Sequence, residues 1–293
     1  MPQRKMRLAH NTQKNERKEK AMSKVISVIN IKGGVGKTTT VCAFAELLAM
    51  HGQKILVADL DPQSNSSQIL NCYNKERTIV DIFSLKSSEM LKENIQSCIY
   101  TIEYAGIDII PSIEELTFMS DIIQNDTSRI QQRILHKALS LIKEDYDYII
   151  LDNSPYFNII TMNALCASDY ALTPVENDGY GYKGLTTLLG KIYSVREELN
   201  ENLEFLGVFL TKVNKQTNLF KQMYSLYAEE LGDKFIPAYI RQDNKVKESC
   251  TLFKPIVHYA PECNAVHDYL NLLMSLHIAD DVFEKISDEA KEA

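Results

Sequence analysis

Apolar residues along the chain follow two rhythms that alternate. Val25-Ile26-Ser27-Val28-Ile29 is a short apolar run before a glycine-rich stretch, as a buried strand would be. Beyond that stretch Val41, Phe44, Ala45 and Leu48 recur at helical spacing towards His51, with Gly52 as the stop. The alternation then repeats. Ile55 to Leu60, Tyr146 to Asp152 and Tyr170 to Val175 read as strands, residues 184–199 as a helix, and 203–211 as a further strand. Between 64 and 146 the pattern is weaker and predicts helices over 78–84, 113–124 and 128–143, with a short strand over 107–110 before Pro111. In the last of those helices Ile130, Ile134, Leu135, Leu139 and Ile142 form an apolar stripe suited to a core, and His136 reads as a packed or surface histidine. Strands alternating with helices predict an α/β fold with a mostly parallel sheet and right-handed crossovers.

Composition sets the scale of this domain. The chain has 293 residues, 45% of them hydrophobic, enough for one sizeable core, and no Pro/Gly/Ser-rich linker divides it. Residues 23–293 are therefore expected to form one domain. No apolar run reaches membrane-spanning length and the N-terminus lacks the apolar core of a secretion signal, so a cytoplasmic protein is expected. Six cysteines show no zinc or disulfide spacing and read as reduced core residues. Residues 1–22 carry seven Lys/Arg against two Glu on a chain of formal charge −7. They read as a flexible basic arm that touches DNA or a regulatory partner, or as a solvated tail. Met22-Ser23-Lys24 also resembles a translation start.

The chemistry concentrates at the ends of the strands. Ile31-Lys32-Gly33-Gly34-Val35-Gly36-Lys37-Thr38-Thr39 joins the first strand to the first helix, and its glycines let backbone N–H groups converge on an anion at the helix N-terminus. Lys37 is placed to reach the outer phosphates of a nucleotide, and the Thr38 hydroxyl to coordinate the accompanying Mg²⁺. The second strand delivers Asp59 and Asp61 to one side of an extended chain, where both could face the metal and an attacking water. The apolar strand ending at Asp152 has the form of a Walker B strand, its carboxylate holding Mg²⁺ through water. Asn153-Ser154-Pro155 follows, without the Glu that would serve as a strong base, so slow intrinsic hydrolysis is expected.

The loop is not the ordinary phosphate loop: residue 31, where a glycine would stand, is Ile, and Lys32 follows it. Gly33, Gly34 and Gly36 between Lys32 and Lys37 resemble the deviant Walker A loop of the ParA/MinD family of ATPases, and Asp59 to Gln63 resembles that family's second motif. Pro174-Val175-Glu176 with Gly184-Leu185, Phe235-Ile236-Pro237, Val246-Lys247-Glu248-Ser249 and Lys254-Pro255-Ile256 extend the resemblance over about residues 24–270. It implies a P-loop NTPase-like sheet with helices on both faces and an ATP-sandwich homodimer in which Lys32 reaches the partner's nucleotide. Asp61 is implied in hydrolysis, and by position Thr211 and Pro237 would line the adenine. Ser154 departs from the family, which usually has two prolines after the aspartate. No guanine-reading Asn-Lys-x-Asp is present, since Gln216-Thr217 follows Asn214-Lys215.

Charge distribution separates the branches. Residues 183–254 hold eleven Lys/Arg against nine acids, whereas 255–293 hold two Lys against eight acids. The acidic end would be repelled by anionic lipid, which argues against a MinD-type membrane helix. The cysteines are not placed for the cluster of the nitrogenase iron protein, and residues 1–22 are too few for the helix-turn-helix domain of long partition ATPases. Arg241, Lys245, Lys247 and Lys254 cluster between Pro237 and Pro255, in the region where family members bind DNA non-specifically. The expectation is a short ParA-type partition ATPase, nucleoid-associated, released from duplex DNA when a ParB-type centromere-binding protein stimulates hydrolysis. The alternatives are a positioning ATPase acting on a membrane or protein assembly, and a small-molecule P-loop kinase or synthetase.

Overall fold

The computed structural model describes residues 23–177, 181–280 and 282; the basic segment 1–22 and the acidic residues beyond 282 lie outside the described residues. The first βα unit is β1 (Lys24–Val28) and α1 (Lys37–Met50), followed by β2 (Ile55–Leu60). Short pieces come next: α2 (Asn65–Ile69), α3 (Ile79–Ser84), α4 (Lys92–Gln96), β3 (Tyr100–Ile102) and β4 (Ile107–Ile110). Then follow α5 (Leu116–Asn125), α6 (Ile134–Ser140), β5 (Tyr148–Asn153), α7 (Ile159–Ala167), β6 (Tyr170–Glu176) and α8 (Gly181–Glu198). The chain closes with β7 (Glu204–Val213), α9 (Asn218–Leu231), β8 (Phe235–Arg241), α10 (Asn244–Thr251), α11 (Ile256–Tyr259) and α12 (Asn264–Ser275).

The strands form one eight-stranded sheet in the order β3-β4-β2-β5-β1-β6-β7-β8, parallel except for β3 on β4. The expected P-loop NTPase-like α/β fold is what the chain adopts. The sequence pattern missed β3, whose three residues on a sheet edge carry too short a period to register, and gave no reading for β8, α7, α9 or α12.

Strand parity decides what faces what. Ile26 and Val28, Ile55 and Val57, and Tyr148 and Ile150 pack under α1 and α12. Val25, Leu56, Ala58, Ile149 and Leu151 point the other way, into a core with α3, α5, α6 and α7. A third cluster joins Val208 and Leu210 to α8 and α9. Continuing the α1-side parity to the strand ends brings Asp59 and Asp152, paired in register across β2 and β5, onto the face that carries α1.

The helix expected over 128–143 is broken into a tight turn at Gln131–Arg133, α6, and a second tight turn at Lys143–Asp145. Asn163 of α7 is the cause. Its buried amide donates to Gln131 O (2.7 Å) and accepts from Leu135 N (3.1 Å), satisfying the backbone where the turn changes and starting the helix late. The cysteines are unpaired, with Cys42, Cys72, Cys98 and Cys166 buried.

Two positions test this packing. Gly207 of β7 has φ +141°, and a Cβ there would stand 2.6 Å from Lys234 O. Gly207→Ala should therefore lower stability by about 2–4 kcal/mol, read as a lowered Tm in calorimetry. Glu46 of α1 is buried, accepts the Val257 N–H (3.1 Å), and burial pushes its carboxyl up from 4.5 to about 7. Between these values the unfolded chain has lost the proton that the folded chain keeps, so stability falls as pH rises, and above about 7 the whole cost is present. Glu46→Gln should raise Tm at pH 8, by stabilisation on the order of 2–3 kcal/mol, and change it little near pH 5.

Candidate functional site

The loop after β1 is held from beneath. Asn30 donates to Pro174 O (2.7 Å) and accepts from Lys32 N (2.8 Å), which fixes the start of the turn. Gly34 and Gly36 take φ of 76° and 96°, conformations that side chains disfavour, and nothing lies within 4 Å of the Cβ positions of Gly33 and Gly34. Val35 is buried, and its carbonyl accepts from the Thr211 hydroxyl (2.8 Å). Thr40 donates to Gly36 O (2.8 Å), and the Tyr269 hydroxyl of α12 lies 3.4 Å from it. α1 thus begins at Gly36 with no side-chain cap, leaving its first N–H groups to an outside acceptor.

Gly33, Gly34, Gly36, Lys37, Thr38, Thr39 and Asp61 line one cavity of about 970 Å³, together with Pro62, Gln63, Tyr156 and Thr117, Ser120, Asp121 and Gln124 of α5. Lys37 is 6% exposed and its ammonium donates to Lys32 O (3.2 Å). Burial pulls its pKa down, opposed by the Asp152 and Asp61 carboxylates. An anion that accepts from this ammonium would relieve its desolvation.

The three aspartates are not equivalent. Asp61 reaches the cavity, with one oxygen accepting from Gln63 N (2.9 Å). Asp59 does not, contrary to the expectation that both face the metal and water. It is fully buried, one oxygen accepting from Asp61 N (3.1 Å) and the other from Ser67 N (2.9 Å) and Ser67 Oγ (2.7 Å). Asp152 accepts from Ser66 Oγ and hydrogen-bonds the Thr38 hydroxyl, while its Oδ1 is buried without a partner. Burial raises the pKa of both, and each is close enough to another carboxylate to be pushed further. That unpartnered oxygen beside a hydroxyl is the donor set a hard divalent cation requires. Among the described residues no three His, Cys, Asp or Glu side chains form a metal-binding group, so a cation here would draw its remaining ligands from phosphate and water.

Other expected residues are placed differently. Asn153 donates inward, to Ser27 Oγ (3.0 Å) and Val28 O (3.1 Å), and tightens β5 against β1. Lys32 lies 3.2 Å from Glu176 at the end of β6, and Glu176 also meets Lys212 (3.3 Å). Thr211 and Pro237 do not line the cavity; Thr211 is buried under the loop, and Pro237 is exposed on the edge strand β8, where a missing N–H is tolerated. Of the basic cluster, Arg241 is gripped by Asp268 through two nitrogens (2.7 and 2.8 Å), and Lys245 pairs with Glu248 (2.7 Å). Lys247 and Lys254 are exposed. Sequence reasoning missed Ser66 and Ser67, because a five-residue helix has no period to announce it, and Tyr269, whose partner is 229 residues away.

Residues 23–205 match the AAA domain family. Over 263 residues the chain is 32% identical to the sporulation initiation inhibitor protein Soj of Bacillus subtilis, covering 86% of this chain and 97% of Soj. It is also 32% identical to the chromosome partitioning protein ParA of Caulobacter vibrioides over 253 residues, covering 85% and 92%. Among solved structures, a putative plasmid partition protein of Borrelia burgdorferi bound to AMPPNP superposes with a TM-score of 0.68 at 23% identity, covering 90% of this chain and 99% of that one. With a phosphate loop of the deviant form and relatives that span its length, the chain belongs to the ParA/MinD family of partition ATPases.

Proposed function

We propose that this chain is a magnesium-dependent ATPase that works as a DNA-partition switch. One observation carries the reading: an uncapped helix N-terminus, the Lys37 ammonium, Thr38 and Asp61 converge on a single cavity, with an unpartnered carboxylate oxygen of Asp152 at Thr38. Backbone N–H groups of residues 33–39 and Lys37 bind the phosphates of ATP. Thr38 and Asp152 hold Mg²⁺, which when bound neutralises phosphate charge. Asp59, its oxygens taken by Ser67 and the Asp61 N–H, braces Asp61 rather than serving as a ligand.

Asp61 orients the attacking water. Asn153, turned into the sheet, stands where a Glu after Asp152 would serve as a strong base, which supports slow intrinsic turnover awaiting a stimulating partner. For the base of the nucleotide the candidate place is the separate cavity of about 820 Å³ bordered by the loops after β7 and β8, with Asn214, Gln242 and Asp243 as candidate contacts, since Thr211 is buried under the loop and Pro237 lines neither cavity.

In the homodimer, each Lys32 leaves Glu176 and reaches the partner's nucleotide. Both members of that pair are about one-third exposed, so opening it costs on the order of 1 kcal/mol or less, small against a bond to phosphate. The closed pair then holds duplex DNA inside a bacterial cell, and a ParB-type protein triggers release. Arg241 and Lys245, already paired to acids, give this less support than expected, and DNA contact falls to Lys247 and Lys254. The same pairing is what favours the second reading, a positioning ATPase acting on a protein assembly.

Three results would test the switch. Lys37→Ala should abolish ATP binding in calorimetry. Lys32→Ala should bind ATP but remain a monomer in light scattering with a non-hydrolysable analogue, and a dimer there would refute the shared site. In DNA titrations with ATP, Lys247→Ala and Lys254→Ala should each lower the slope of log affinity against log salt by about 1. Arg241→Ala should instead lower Tm. Unchanged slopes together with ATP-dependent retention on a protein assembly would select the second reading.

A further inference from the structure

The carboxylate that holds Lys32 carries a second cation. Glu176 ends β6 and divides its oxygens: Lys32 Nζ donates to Oε2 at 3.2 Å, and Lys212 Nζ donates to Oε1 at 3.3 Å. Because β6 lies between β1 and β7 in the sheet, the two lysines reach it from its two flanks. The side chains of Lys32, Glu176 and Lys212 are 35%, 30% and 48% exposed, so water screens both pairs and each can exchange. Lys212 itself lines neither the phosphate cavity nor the cavity assigned to the base.

Lys212 does not arrive there as an ordinary strand residue. Inside β7 its φ is 54°, in the left-handed region that side chains disfavour. Both of its neighbours are fixed, Thr211 by its bond to the Val35 carbonyl (2.8 Å) and Val213 by burial in the third core cluster. The pairing of β7 with β8 slips between Leu210 and Val213, as at a bulge, and a bulge re-aims the side chain it carries. Thr211 is the register partner of Glu176, and the residue one step past it is the one turned onto the carboxylate. Strain kept at a residue that touches the partner of Lys32 points to a use.

We propose that Glu176 and Lys212 form an adjustable latch on Lys32: Glu176 holds the Lys32 ammonium at its own loop, and Lys212, by sharing that carboxylate, loosens the hold and stays with Glu176 when Lys32 leaves. Two cations on one carboxylate repel each other, so each weakens the other's bond. Without Lys212, Glu176 would hold Lys32 more firmly, and the departure of Lys32 would leave a largely buried carboxylate with neither lysine. With Lys212 in place, two ion pairs become one and no charge is stranded. Lys212 is thus a positioning residue that acts through Lys32. The proposal rests on the reading of Lys32 as the group that reaches a partner's nucleotide, and names what sets how readily it goes.

The latch is read on the full chain without nucleotide, as the rate at which acetic anhydride acylates Lys32, followed by peptide mass spectrometry. Only the uncharged amine reacts, and an ion pair favours the ammonium, so a tighter latch slows the reaction. Glu176→Gln should speed acylation of Lys32 about threefold or more, and Lys212→Gln should slow it about twofold or more. Lys212→Arg, which keeps the charge, should restore the parent rate. In the Glu176→Gln background Lys212→Gln should lose most of its effect, a non-additivity that general damage to the strand would not produce. A rate indifferent to Glu176, a Lys212→Gln effect that is absent or reversed, or one of equal size in both backgrounds would overturn the latch. In light scattering with a non-hydrolysable ATP analogue, Glu176→Gln should tighten the dimer and Lys212→Gln weaken it, each by about threefold or more. Dimer affinity unchanged in both would overturn the latch as a control of association. Acylation needs no dimer, so an associating Lys32→Ala chain refutes the shared nucleotide site while the latch is judged on Lys32 itself.

Discussion

One buried ammonium organises the centre of this molecule. Lys37 begins α1, is almost wholly withdrawn from water, and faces the Asp61 and Asp152 carboxylates across the ends of β2 and β5. A charge removed from solvent must be matched nearby, and three aspartates at one rim of a sheet need a cation as much as the cation needs them. The positive end of the uncapped helix adds to the same side of the balance. An anion entering here would meet the ammonium and the helix N-terminus, and a cation entering with it would meet the carboxylates.

The balance is assembled by strand parity. Successive residues of a strand point to opposite faces, so the α1-side positions of β2 and β5 carry Asp59 and Asp152 to the same layer, and the register pairs them directly. β7 delivers Thr211 to the underside of the loop by the same rule, and α12 adds Tyr269 from behind. The loop's shape is thus set by the core packing of α1 and α12 around Phe44 and Tyr269, whose rings meet edge to face at 6.3 Å. A change in that packing would be felt at the loop without any contact to its glycines.

Two kinds of polar side chain sit around this centre. Ser66, Ser67, Asn153 and Thr40 are buried and donate into carboxylates or backbone, fixing geometry. Lys32 and Glu176 are partly exposed and held to each other by a bond weak enough to exchange. The first group fixes the strand ends, whereas the second pair can open at small cost. The division follows exposure, since solvent screens the second pair and not the first.

The parallel strands from β1 to β7 and the helices α1 and α8 were legible because buried parallel strands are short apolar runs and amphipathic helices repeat every three to four residues, whereas β8, α7, α9 and α12 were not read from the pattern. The gathering of the loop glycines, Lys37, Thr38 and Asp61 at one cavity, with Asp152 at Thr38, was legible because the pattern lies in chain neighbours: glycines, then a lysine, then a hydroxyl, or an acid at the end of a strand. The roles of Asp59, Thr211, Arg241 and Lys245 were not, since each is decided by a partner across the fold. Ser67 closes over Asp59, the Val35 carbonyl takes Thr211, and Asp268 on α12 captures Arg241, while Glu248, one helical turn on, takes Lys245. A sequence states which groups a residue carries. Only the folded chain, by bringing distant groups within hydrogen-bond reach and excluding water between them, settles which of those groups remain available to a ligand.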